Sequence, residues 1–154
     1  MDTKILILGT FPSIKALEKM EYYGNPNNHF WEIIGYCLDI PDFNEMPYEK
    51  RLSILKKNKI GLWDAIRNCE RETSLDVKIE KEEYNDLSVL RKECPQLEKI
   101  VLSSKFMLQT KKRKEVLKNA KIPFEAAPSP SRRYIIPVEE KKRIWKEIIQ
   151  KSVR

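Results

Sequence analysis

Cysteine and histidine are scarce in these 154 residues. There are three cysteines (Cys37, Cys69 and Cys94) and one histidine, His29. The cysteines are odd in number and widely spaced, which argues against a disulfide framework and against a zinc or iron–sulfur site. They are expected as buried thiols. A Ser-His-Asp hydrolase would have to use His29, which weakens that class. No G-x-G-x-x-G or Walker lysine loop follows the first apolar run, which weakens a nucleotide site. No apolar run approaches the ~18 residues of a membrane span. The opening MDTKILILG carries an apolar run of only about five residues, against roughly 7–15 in a signal peptide, and no small-residue cleavage site follows. A cytoplasmic protein is expected, with no metal, no cofactor and no membrane partner.

What is present fits one globular domain over residues 1–154, with 41% apolar residues to build a core. Charge is distributed unevenly around the net of +7. Residues 91–154 hold 18 Lys/Arg against 7 Asp/Glu, whereas residues 1–90 hold 12 against 16. A basic C-terminal half is what a polyanion-binding face would produce, although Lys-rich helices can also be merely solvated.

Short apolar runs at KILILG (4–9), KIGLWDAI (59–66), KIVLSS (99–104) and PFEAAPS (123–129) look like buried strands. Helical patterns lie between them. HFWEIIGYCLDI (29–40) carries one apolar stripe, VEEKKRIWKEIIQK (138–151) another, and residues 48–58, 85–93 and 105–118 supply more. Strands alternating with helices imply an α/β fold, a three-layer α/β/α domain around a central, mostly parallel four-stranded sheet. Ligands of such folds sit beyond the carboxyl ends of the strands. That places GTFPS (9–13), the loop after Ile66, SSK (103–105) and APSPSRR (127–133) around the site.

YYGNPNNHFW (22–31) is the most unusual stretch, crowding two tyrosines, three asparagines, the histidine and a Phe-Trp pair into ten residues. Phe30 and Trp31 begin the apolar stripe of the next helix and belong to the core. Asn28 precedes that helix and could cap it. His29 reads as a helix-start residue, and Tyr22 and Tyr23 could be packing aromatics. In PSPSRR, two prolines stiffen the backbone, Ser129 and Ser131 can donate to phosphate oxygens, and Arg132 and Arg133 add charge. A stiff turn before the last helix would use the same prolines.

Taken in order, GTFPS, YYGNPNNHFW, GLWDAIRNCERETSLD (61–76) and APSPS (127–131) resemble the uracil-DNA glycosylase superfamily. The closest branch is that of hypoxanthine-DNA (deoxyinosine) glycosylase, related to the mismatch-specific uracil-DNA glycosylases. That branch reads approximately G-S-x-P-G, Y-Y-A-H-P-R-N-x-F-W, G-L-W-D-V-I-x-x-C-x-R-x-G-S-L-D and L-P-S-x-S. The resemblance covers nearly the whole chain.

It implies a monofunctional DNA glycosylase that excises hypoxanthine or uracil by hydrolysis in base-excision repair, acting as a monomer on DNA containing deaminated bases. A flipped base needs an aromatic face to replace its lost stacking and polar groups to read its edge, so aromatics and amides belong together. Tyr23 falls at the family's base-stacking aromatic and Asn28 at this branch's catalytic asparagine. Thr10, Phe11 and Ser103 complete the base-binding wall. Ser129, Ser131, Arg132 and Arg133, with Arg71 and Ser74, would meet the DNA backbone. Trp63 and Asp64 read as strand-end packing and a turn or helix cap, with no catalytic duty for Asp64 or Asp76. The departures are Phe11, where many members place a water-positioning Asp or Asn; Asn25 for His; Asn27 for Arg; and Ser103, where relatives often place a base-reading amide. They leave the preferred base open. They also keep alive an alternative: a non-catalytic module of the same fold that recognises damaged or single-stranded DNA.

Overall fold

The computed structural model describes residues 1–70 and 79–151. In chain order its elements are β1 (Ile5–Gly9), α1 (Ile14–Lys19), α2 (Phe30–Cys37), α3 (Tyr48–Lys57), β2 (Ile60–Asp64), β3 (Ile66–Glu70), β4 (Glu80–Tyr84), α4 (Leu90–Glu93), β5 (Lys99–Leu102), α5 (Lys111–Lys118), β6 (Phe124–Ala126) and α6 (Val138–Gln150). Side chains of the central strands alternate between two cores. Leu6, Leu8, Ile100 and Leu102 enter one, while Ile7 and Val101 enter the other. That period of two, apolar on both faces, is the mark of a covered parallel sheet. The sheet runs β2-β1-β5-β6 with every pairing parallel. Helices α2, α3 and α6 cover one face with Phe30, Trp31, Leu55 and Trp145. The β3–β4 hairpin, α4 and α5 cover the other with Ile66, Leu90 and Leu117. The expected three-layer architecture is present.

Local departures have physical reasons. The run 59–66, expected as one strand, is broken. β2 ends at Asp64, in register with Gly9. Ala65 and Ile66 then donate to the carbonyls of Gly9 and Thr10, and the chain leaves the sheet to form an antiparallel hairpin with β4. Nothing in EKEEY announces a strand. It is largely solvent-facing and held by charge, with Arg67–Glu83 at 2.9 Å and Lys81–Glu70 at 3.3 Å. Glu82 of β4 also meets Arg113 of α5 and the Tyr84 hydroxyl. The helix expected over 105–118 is a 3-10 turn at Phe106–Leu108 followed by α5, because Thr110 Oγ1 accepts from Arg113 N and starts the helix afresh. Helix α1 arises the same way: Ser13 Oγ accepts from Ala16 N at 3.0 Å.

Cys37 and Cys94 are free and buried, and Cys69 is partly buried. Burial pushes the Cys37 thiol up to about 12. No helix among the described residues is long and apolar enough to cross a membrane.

Candidate active site

The carboxyl ends of β1, β2 and β5 and the segment after β6 open into a cleft of about 850 Å³. Its walls include Thr10, Phe11, Tyr23, Asn28, Asp64, Ser103, Ser129, Ser131 and Arg133. Arg132 is exposed beside it, and Arg71 and Ser74 lie outside the described residues.

Tyr23 sits on one wall in a left-handed backbone conformation (φ 53°) that bulky residues adopt only at a cost. Its surroundings hold it there. Tyr22 N donates to Tyr48 Oη, Trp31 Nε1 donates to Tyr22 O, and Gly24 N donates to Glu21 O, each at 3.0–3.1 Å. The strain turns the Tyr23 ring flat onto Phe30, with centroids 3.7 Å apart and planes 12° from parallel. One face of Tyr23 is thus packed on the core. Its hydroxyl donates to Ser103 Oγ at 3.0 Å.

Asn28 ends a tight turn in which Asn25 Oδ1 accepts from Asn27 N and Asn25 O accepts from Asn28 N. Its own Oδ1 accepts from Phe30 N at 2.9 Å. His29 occupies the cap position of α2 without a side-chain capping bond, so Asn28 serves the helix start from one residue further out. That bond fixes which end of the carboxamide is oxygen and leaves Oδ1 a second lone pair.

The 128–133 loop is tied down by its carbonyls. Pro128 O accepts from Trp145 Nε1 (2.8 Å), Pro130 O from His29 N (3.0 Å) and Ser131 O from Lys141 Nζ (2.8 Å). The Ser129 and Ser131 hydroxyl oxygens accept from Ser131 N and Arg133 N. Both serines therefore keep their hydroxyl protons to donate. Lys141 is itself buried, and that burial lowers its pKa. His29 is held neutral more firmly than a free imidazole, first by burial and then by the charges of Lys141 and Arg132. Its Nδ1 is buried without a hydrogen-bond partner among the described residues.

Phe11 lines the cleft while packing on the hairpin-side core, so this position supplies a wall and no water-binding group. Thr10 Oγ1 lies 3.3 Å from Ser104 Oγ. Two residues of the site were not anticipated. Lys141, in the first turn of a charged helix, gives no signal of burial in the sequence. Asp64, which reads from the sequence as a turn or helix cap, ends β2 and lines the cleft. Among the described residues no group of three or more His, Cys, Asp or Glu is arranged to hold a metal.

Fold and cleft together define a parallel α/β protein whose ligand site, floored by strand ends, combines an aromatic face, a fixed carboxamide and a serine-rich loop. No protein-family profile matches the chain. Two curated relatives do, both called hypoxanthine DNA glycosylase. The one from Methanosarcina acetivorans is 44% identical over 104 residues, 68% of this chain. The one from Methanosarcina barkeri is 40% identical over the same length. The match spans 65% of the length of each relative. The solution NMR structure of a candidate uracil DNA glycosylase from Methanosarcina acetivorans superposes with a TM-score of 0.80 at 35% identity, covering 97% of this chain and 90% of that one. The chain belongs to the uracil-DNA glycosylase superfamily.

Proposed function

We propose that the chain is a monofunctional DNA glycosylase that flips a deaminated base, hypoxanthine or uracil, into the cleft and hydrolyses its N-glycosidic bond, initiating base-excision repair. It acts as a monomer, without metal or cofactor. The observation that carries this reading is the convergence of the Tyr23 ring, the Asn28 carboxamide and the 128–133 loop on one cleft. The relatives called hypoxanthine DNA glycosylase support the substrate class.

Extruding a base from the duplex forfeits its stacking. The Tyr23 ring, as the stacking surface, would return about 1–3 kcal/mol of it. Bond cleavage passes through an oxocarbenium-like sugar, so the attacking water needs placement more than deprotonation. Asn28 Oδ1, locked by Phe30 N–H, offers its second lone pair to that water. The next residue, His29, bonds the loop at Pro130 O, so the water site and the loop that grips the strand share one rigid connection. Ser129, Ser131, Arg132 and Arg133 then hold phosphates on either side of the flipped nucleotide.

The test is a panel of oligonucleotides carrying hypoxanthine, uracil, xanthine or a thymine mismatch, with and without alkali. Strand breaks at hypoxanthine or uracil appearing only after alkali are expected. Phe11 favours the one competing reading, a non-catalytic module that binds damaged DNA. Tight lesion binding without alkali-labile product would select it.

A further inference from the structure

At the floor of the cleft, three polar side chains from separate parts of the chain converge on Gly9. A Cβ placed on Gly9 would stand 2.5 Å from Asp64 Oδ1, 3.1 Å from Tyr23 Oη and 3.6 Å from Ser103 Oγ. Glycine is required here by close approach, since any side chain would displace the Asp64 carboxylate. The three groups sit on fixed supports. Asp64 ends β2 in register with Gly9. Ser103 follows β5, its N–H donating to Leu8 O at 3.1 Å. Tyr23 is locked by Phe30 and donates to Ser103. All three line the cleft, and Ser103 is buried. The Asp64 charge is also felt by Tyr22, whose hydroxyl pKa is raised first by burial and next by that carboxylate.

The chemistry of this floor is asymmetric. An ionised carboxylate only accepts hydrogen bonds, whereas a hydroxyl can donate. Hypoxanthine, uracil and xanthine all present a ring N–H beside a carbonyl. Adenine and cytosine, from which hypoxanthine and uracil arise, present a ring nitrogen lone pair beside an amino group. An acceptor next to a donor matches the first pattern and opposes the second.

Resting on the glycosylase reading above, we propose that Asp64 is a base-reading residue: its carboxylate accepts the lactam N–H of the flipped base, while the Tyr23–Ser103 hydroxyl pair serves the adjacent carbonyl. Deamination turns a lone pair into that N–H, so Asp64 senses the chemical change that defines the lesion. Partners that Asp64 already has do not compete, because a carboxylate has about four lone-pair sites. The device does not separate hypoxanthine from guanine or uracil from thymine; their extra amino or methyl group is a matter of cleft shape.

The test compares single-turnover excision of hypoxanthine and of 1-methylhypoxanthine, in which a methyl replaces the N–H, by the parent protein, Asp64→Ala and Asp64→Asn. The parent should strongly prefer the unmethylated base. Asp64→Ala should lose about tenfold to hundredfold on hypoxanthine, as expected for a lost hydrogen bond to a charged group. It should lose much less on the methylated base, so the ratio of the two rates collapses. Asp64→Asn keeps an acceptor of the same size and should keep most of that ratio. Melting curves of each variant remove unfolded protein from the comparison, and Asp64→Leu, of similar shape but unable to accept a hydrogen bond, decides should Asp64→Ala fail to fold. In Asp64→Ala or Asp64→Leu, equal losses on both substrates, or an unchanged ratio, would assign Asp64 to structure alone and overturn the inference while leaving the glycosylase reading intact. A parent protein that cuts neither hypoxanthine nor uracil would overturn both.

Discussion

Tyr23 donates its hydroxyl proton to Ser103 Oγ at 3.0 Å, joining the aromatic wall of the cleft to the end of β5. The resemblance gives Tyr23 a role for its ring, as the base-stacking aromatic. The hydrogen bond gives the hydroxyl a second duty, holding Ser103 and orienting its remaining proton. Tyr23→Phe should therefore lose part of the activity, about threefold to tenfold for a hydrogen bond of ~0.5–1.5 kcal/mol. Ser103→Ala should lose a similar amount, and the double variant little more than either single one, because both remove the same bond. Tyr23→Ala should do worse, adding ~1–3 kcal/mol of lost base stacking to the exposure of Phe30. Single-turnover rates on the best substrate measure all four. Additive losses would separate the two side chains.

That bond was not legible in the sequence, whereas the elements bearing it were. ILILG and KIVL announce themselves as strands because both of their faces are apolar. YYGNPNNHFW announces a site because aromatics and amides crowd it. The β3–β4 hairpin stayed hidden, since EKEEY faces solvent and is stabilised by ion pairs that leave no periodic apolar trace. The break after Asp64 was hidden for a related reason. The apolar run continues through Ala65 and Ile66, but those residues serve the hairpin core and not the sheet. Helix α1 was missed because its Ile14 and Leu17 are exposed. Its one clear signal was Ser13, a good N-cap.

DNA affinity should fall steeply with salt, because Lys and Arg that neutralise phosphates release counterions. Arg133 lines the cleft and Arg132 stands exposed beside it, on a loop whose Pro128, Pro130 and Ser131 carbonyls are held by Trp145, His29 and Lys141. Neutralising both arginines should flatten the salt slope by up to about two units, at roughly 0.9 per contact. Fluorescence titrations at several salt concentrations measure it. An unchanged slope would place the DNA face elsewhere.

His29 makes stability pH-dependent. In the unfolded chain it titrates near ~6.5, and in the fold its pKa is lowered, chiefly by burial. Below about pH 6.5 the unfolded state takes up a proton that the folded state resists, so stability falls as pH drops toward the folded value. Above that pH the residue is neutral in both states and contributes no such slope. His29→Gln cannot titrate, so between pH 7.5 and pH 5.5 it should lose less melting temperature than the parent. Equal losses in the two proteins would mean that other groups set the acid limit.

Asn28 carries the sharpest test, because the proposed mechanism puts a second duty on an oxygen that already has one. Oδ1 accepts from Phe30 N at the start of α2, and its second lone pair would hold the proposed water. Asn28→Ala removes both. Losing the helix-start bond should cost about 0.5–2 kcal/mol of stability, while losing the water site should abolish most excision and spare binding to lesion DNA. Asn28→Asp separates the duties. A carboxylate still accepts from Phe30 N, so the melting temperature should stay near the parent value, and it still accepts from water. It also adds a negative charge close to the oxocarbenium-like sugar and the phosphates, so the rate should change while the fold does not. Melting curves and single-turnover rates on the same preparations read the two duties independently. An Asn28→Ala protein that melts lower yet cuts at the parent rate would leave Asn28 a helix-start residue only, and the water would then have to be held by Ser103 or the 9–13 loop.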